Sequence, residues 1–144
     1  MKFYRSPITA TLTAFAALWI ATAAPVLAAQ TVSNAETNKA YRMDAARHIY
    51  AAYPKMIYKG KMPPLVHAIV VLEVDVDTTG KVQNINMIRV PTHAPDVTAK
   101  VRDMIQQTTM PAPVRMASGA KFTEVWLVDK SGRFQLDALT EGQR

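Results

Sequence analysis

The sequence predicts an α+β fold of two layers, a four-stranded antiparallel sheet with two helices on one face, in the order α-β-β-α-β-β. Three observations predict it. Two stretches carry apolar residues three or four positions apart, the spacing of a helix face. Two pairs of alternating stretches are each joined by an Asp-x-x-Gly-basic turn, Asp77 to Lys81 and Asp129 to Arg133. The chain of 144 residues is 49% hydrophobic and 19% charged, a globular balance at a length that suits one domain.

The first helix is expected after Ser33-Asn34-Ala35-Glu36, which matches a capping box. Ser33 would accept from the Glu36 amide, and Glu36 would reach back. Tyr41, Ala45, Ile49 and Ala52 then share a face, and Tyr53-Pro54 stops the helix because a residue before proline is pushed out of the α region. Lys55 to Pro64 reads as a basic connection with Gly60 as its turn.

Val66 to Asp77 is the clearest strand. Val66, Ala68, Val70, Leu72, Val74 and Val76 alternate on one face. The other face mixes Ile69 and Val71 with Glu73, Asp75 and Asp77, so the strand is expected to be central, covered in its first half and wet in its second. Asp77 to Lys81 suits a type I turn with Gly80 in the left-handed position. The return strand, Lys81 to Val90, alternates imperfectly, which predicts a bulge near Ile85.

Pro95 opens the second helix, where its missing amide costs nothing. Val97, Val101, Met104 and Ile105 line its apolar side. Met110-Pro111-Ala112-Pro113 ends it, and Ser118-Gly119 is a turn. Lys121 to Asp129 is the third strand, and Phe134 and Leu136 form a short fourth.

Residues 1–28 have the layout of a secretory signal peptide: Lys2 and Arg5, an uncharged apolar run from Ile8 to Ala24, and Val26-Leu27-Ala28 before a cut. Residues 29–52 are then an N-terminal segment and first helix, 53–140 the main domain, and 141–144 a polar tail. The mature product is expected to be exported, with an uncleaved membrane anchor as the alternative if the segment is retained. The sequence contains no cysteine, which excludes a disulfide scaffold, a thiolate metal site and a thiol nucleophile. The formal charge of +6 falls to +4 (15 − 11) without Lys2 and Arg5, which favours weak attraction to acidic surfaces and does not point to nucleic acid.

No catalytic constellation is legible, and no cofactor is expected. His48, His67 and His93 offer no i, i+3 or i, i+4 metal pair. Glu73, Asp75 and Asp77 could converge on a hard cation, or could meet lysines from a neighbouring strand, which is the favoured reading. Lys55, Lys59 and Lys61, interleaved with Tyr53 and Tyr58, are either a solvated loop with its aromatics packed on the sheet or a recognition surface. Phe122 and Trp126 share a strand face. They are core residues, or grips beside an exposed backbone edge that takes an extended peptide by β-augmentation.

Tyr53-Pro54 with Gly60, the Val70 to Val76 strand, Gly80-Lys81-Val82, Val90-Pro91, an amphipathic helix, Pro111, Ser118-Gly119 and a final Phe122 to Val128 strand resemble, in order and spacing, the TonB C-terminal domain family. The resemblance covers about Tyr53 to Leu136. It implies a periplasmic two-layer module that contacts an outer-membrane receptor by strand pairing. Carried over, the pairing strand is Lys121, Phe122, Thr123, Glu124, Val125, Trp126, Leu127 and Val128, with Tyr53 and Pro54 as a second contact. The chain departs from the family in its expected cleavage, in having no Pro-rich spacer before the first helix, and in Thr109-Met110 standing before Pro111. The expected partner is thus a protein or extended peptide. A homodimer joined through sheet edges and an anchored energy transducer are the alternatives.

Overall fold

The computed structural model describes residues 29–143. The expected signal peptide therefore lies outside the described residues. Among those, no helix is long and apolar enough to cross a membrane.

The predicted architecture is present, with one small addition. In chain order the elements are β1 (Val32–Ser33), α1 (Asn38–Ala52), β2 (Ala68–Val76), β3 (Val82–Arg89), α2 (Pro95–Gln107), β4 (Ala112–Pro113), β5 (Ala120–Val128) and β6 (Phe134–Leu136). Single 3₁₀ turns lie at Pro54–Met56 and Asp137–Leu139. The main sheet is antiparallel in the order β3-β2-β5-β6, and β1 and β4 form a separate two-residue parallel ladder.

The core lies between one face of the sheet and both helices. Every second residue of β2, from Ala68 to Val76, is buried there, as are Phe122, Trp126 and Val128 of β5. From above come Tyr41, Ala45 and Ile49 of α1, and Val97, Val101, Met104 and Ile105 of α2. Ala46 is buried in α1, whereas Ala52, at the helix end, is exposed. The Trp126 and Phe134 rings lie 4.5 Å apart, and Tyr50 meets Phe134 edge-on at 6.2 Å. The Tyr41 hydroxyl donates to the Pro111 carbonyl at 2.8 Å. Burial and the nearby Asp44 push that phenol well above its usual pKa.

One local expectation is corrected. The cap of α1 is Thr37, whose hydroxyl accepts from the Ala40 amide at 3.2 Å. Ser33 is drawn into β1 beside Pro113, where it accepts from Ala35 and donates to Asp44 at 2.6 Å. Glu36 pairs with Arg115 instead of reaching back. The irregularity expected near Ile85 is present as two β2–β3 register slips, at Gln83 and at Ile88, on either side of it. Each slip inserts one extra residue opposite the regular β2 ladder.

The two Asp-x-x-Gly-basic turns are built identically. In the first, Asp77 Oδ1 accepts from the Thr79 amide at 2.8 Å, the Thr79 hydroxyl at 2.6 Å and the Lys81 amide at 3.0 Å. In the second, Asp129 Oδ1 accepts from the Ser131 amide and hydroxyl and the Arg133 amide at 3.0, 2.6 and 3.0 Å. These bonds, the Thr79 hydroxyl first, hold the Asp77 carboxyl below its usual range. Gly80 has φ +85°, and its carbonyl accepts from Met110 at 2.8 Å, so the hairpin tip is stitched to the loop after α2.

A Cβ at Gly80 would stand 2.1 Å from the Met110 carbonyl oxygen, while one at Gly60, φ +82°, would meet nothing within 4 Å. Gly60→Ala should therefore cost only the left-handed conformation, about 1–2 kcal/mol. Gly80→Ala should cost more, because backbone must also move. Urea titration should show the larger drop in midpoint for Gly80→Ala; equal drops would contradict the close approach.

Candidate functional site: the two rims of the sheet

A four-stranded sheet has two rims, and whichever is unpaired can receive another chain. The strand singled out by sequence, Lys121 to Val128, is not at a rim. Strand β5 pairs with β2 along its full length, from Ala120 opposite Val76 to Val128 opposite Ala68. Its other side pairs with β6 at Trp126, Leu127 and Val128. The expected rim strand is thus corrected to an interior one, with β2 along one side and β6 over Trp126 to Val128 on the other.

Between Lys121 and Val125, β5 overhangs the end of β6. There side chains stand in for a strand. The Lys121 amide donates to Asn38 Oδ1 at 3.0 Å, and the Val125 amide to Glu124 Oε1 at 3.0 Å. Glu124 is fully buried on the core face of β5. A buried carboxylate needs a countercharge and hydrogen bonds. Arg42 of α1 supplies both, from Nη2 to Oε1 at 2.8 Å and from Nε to Oε2 at 3.3 Å. The Ala138 amide adds a bond at 3.2 Å, and Arg42 also reaches Asp137 at 2.9 Å. These carboxylates raise the Arg42 pKa further above its ordinary value, the Glu124 hydrogen bond first.

The outer side of β6 is closed too. The Phe134 carbonyl accepts from the Tyr58 amide at 2.9 Å, and the Leu136 amide donates to the Tyr50 hydroxyl at 3.1 Å. Gln135, buried on the opposite face, donates to the carbonyls of Tyr58 and Gly60 at 2.9 and 2.7 Å. The connection after α1 therefore runs along β6 as a cover. Tyr53, expected as a second contact, turns inward, with its hydroxyl on the Met104 carbonyl at 3.0 Å and the Thr108 hydroxyl at 3.1 Å. Pro54 is exposed and opens the 3₁₀ turn.

Of the remaining expected contacts, Phe122, Trp126 and Val128 face the core. Lys121 and Thr123 are exposed, and Val125 and Leu127 are half-buried on the face away from the helices. On that face Leu127 stands opposite Ile69 and Val125 opposite Val71, followed by the polar pairs Thr123–Glu73 and Lys121–Asp75. Lys121 Nζ lies 3.4 Å from Glu73 and 3.1 Å from Asp75, which raises its pKa, Asp75 first. The acidic ladder thus meets a neighbouring lysine, and Asp77 is folded into its own turn. Among the described residues, no three His, Asp or Glu side chains are grouped to hold a metal. His93 Nε2 lies 2.7 Å from the His67 carbonyl, and the two rings meet edge-on at 5.6 Å, a pairing the sequence spacing hid.

Strand β3 forms the opposite rim, with β2 on one side only. The Lys121 amide turns away from β2, so its opposite residue, Asp75, directs its backbone to β3 and pairs with Asn84. Alternation then turns the backbone groups of Ile85 and Met87 outward. Beside them a groove of about 510 Å³ is lined by Val82, Gln83, Asn84 and Ile85 of β3 and Arg102 and Gln106 of α2. Sequence reasoning missed this rim because an edge strand and an interior one can alternate alike. The available signal was the polar residues Gln83, Asn84, Asn86 and Arg89, half of the strand.

No known family model, curated protein or solved structure matches this chain.

Arg42→Met should leave the Glu124 carboxylate buried and uncompensated and destabilise the protein by about 3 kcal/mol, the lower end for a broken buried pair because Arg42 is partly exposed. The double variant Arg42→Met/Glu124→Met should recover most of that loss. Chemical denaturation of the three variants checks it; a single variant as stable as the parent would show that α1 does not close this edge.

Proposed function

We propose that the protein is an exported, non-catalytic interaction module of TonB-like architecture that takes an extended polypeptide by β-augmentation along β3. The observation that carries the reading is the unpaired rim of β3, where the backbone groups of Ile85 and Met87 turn outward, set against a β5–β6 side on which Asn38, Glu124, Tyr50 and Tyr58 already hold the amides of Lys121, Val125 and Leu136 and the carbonyl of Phe134. A strand laid there gains main-chain hydrogen bonds, which give affinity irrespective of sequence. Its alternate side chains would enter the groove beside Arg102 and Gln106, which would give preference.

The resemblance to the TonB C-terminal domain family supports an outer-membrane receptor segment as the partner. The family's pairing strand corresponds here to β5, so the contact moves to the other rim. The pattern of residues 1–28 supports a periplasmic location. The reading needs no cofactor.

Proline tolerates an edge position whose amide faces solvent, but removes that donor. An array of extended peptides rich in β-branched residues should bind the parent protein and lose most of its signal with Ile85→Pro. Thr123→Pro, on the β5 overhang, should retain it wherever circular dichroism shows the variant folded. Retention by a folded Ile85→Pro protein would overturn the proposal. So would chemical-shift changes on peptide binding confined to residues 57–62 and β6, a measurement that needs no variant.

A further inference from the structure

The basic connection after α1 is absorbed neither by the core nor by the β3 rim. Tyr53 turns inward, and the lysines do not. Lys55, Lys59 and Lys61 are exposed and make no ion pair among the described residues. The fold brings further cations to them. The Ile57–Tyr58 backbone runs beside Phe134, the residue after Arg133. Gly132, one residue earlier, has Lys100 Nζ beside it, with only 3.6 Å to an added Cβ. Lys130 stands on the same hairpin tip. Lys100, Lys130 and Arg133 are likewise exposed and unpaired among the described residues.

The acids at this end form no ion pair with them among the described residues. Asp129 is turned into its own hairpin, and Glu141 accepts from the Gly60 amide at 3.2 Å. Asp96 sits in the first turn of α2. At the opposite end Arg115 pairs with Glu36 and Lys121 with Glu73 and Asp75, and Lys39 and Lys81 are exposed without an ion pair among the described residues. Unpaired cations are therefore denser at the first end, although the total charge is modest.

Leu65 adds an apolar element. The loop is pinned by Met62, fully buried, whose amide donates to the Gly142 carbonyl at 2.9 Å. Three residues on, after Pro63-Pro64, Leu65 projects with 87% of its surface exposed. Leu65 stands three residues before Ala68, which pairs with Val128 just ahead of the Asp129–Arg133 turn, so it lies at the same end as these cations. An exposed apolar side chain at a cationic end matches an interface of anionic headgroups over acyl chains.

We infer that this end of the molecule, Lys55, Lys59, Lys61, Lys100, Lys130 and Arg133 with Leu65 among them, docks on an anionic phospholipid bilayer. The inference does not depend on the β3 reading. Four to eight clustered cations suffice for reversible binding, and the attraction decays within a Debye length.

The test is flotation of the protein with vesicles of phosphatidylcholine alone and of phosphatidylcholine mixed with phosphatidylglycerol. Binding to the mixed vesicles only, released by raised salt, is expected. Lys55→Gln should weaken partitioning about fivefold, and Lys55→Gln/Lys59→Gln about fivefold again. Leu65→Asn should weaken it without changing its salt dependence. Lys39→Gln/Lys81→Gln, which removes the same charge from the opposite end, should leave it unchanged. Equal loss in that control would overturn the inference in favour of net charge. Absence from anionic vesicles at low salt would also overturn it, and retention on polyglutamate beads in that case would identify an acidic polypeptide as the partner instead.

Discussion

Between Lys121 and Val125, strand β5 runs past the end of β6 with its outward backbone groups in need of partners. The rest of the structure depends on how that need is met. An unpaired amide buried against α1 would be costly, about 1–3 kcal/mol. The fold meets it with side chains, Asn38 for Lys121 and Glu124 for Val125. Glu124 can serve only because Arg42 compensates its charge, and Arg42 is placed by α1. One ion pair thus joins the first helix, the central strand and the 3₁₀ turn at Asp137–Leu139. The cover over β6 continues the closure, which leaves β3 as the longer rim free for strand pairing.

The rest of the fold is consistent with that division. The two Asp-x-x-Gly-basic turns set the registers of both hairpins, and Gly80 ties the first to the loop after α2. The bulges at Gln83 and Ile88 twist β3. Such irregularities, with Asn84, Asn86 and Arg89 along the strand, are devices by which an exposed edge resists indiscriminate pairing while staying open to a suitable one. The cationic end is built from the same cover that lies along β6: its backbone serves the sheet, Tyr53 bonds the end of α2, and its lysines are left for solvent or a surface.

Much of this was legible in the sequence. The α2 stripe of Val97, Val101, Met104 and Ile105, the alternation of β2, and both turns follow from local periodicity and turn chemistry, which act over a few residues. What was not legible depends on distant partners. Ser33 and Glu36 read as a capping box, but Asp44 and Arg115 compete for them and Thr37 caps the helix. The Phe122-Glu124-Trp126 alternation puts a carboxylate on a core face, which implies a buried countercharge without identifying Arg42, 82 residues away. Strand order was the largest gap. Alternation shows which face of β5 is buried, not which strands flank it. The resemblance placed a pairing edge at the strand that β6 covers here.

Residue-resolved amide hydrogen exchange on the isolated protein addresses the asymmetry of the two rims directly. The account predicts fast exchange at Ile85 and Met87, and protection at Lys121, Val125 and Leu136. Protection at Ile85 and Met87 matching that of β5, in a dilute sample with no partner added, would contradict it.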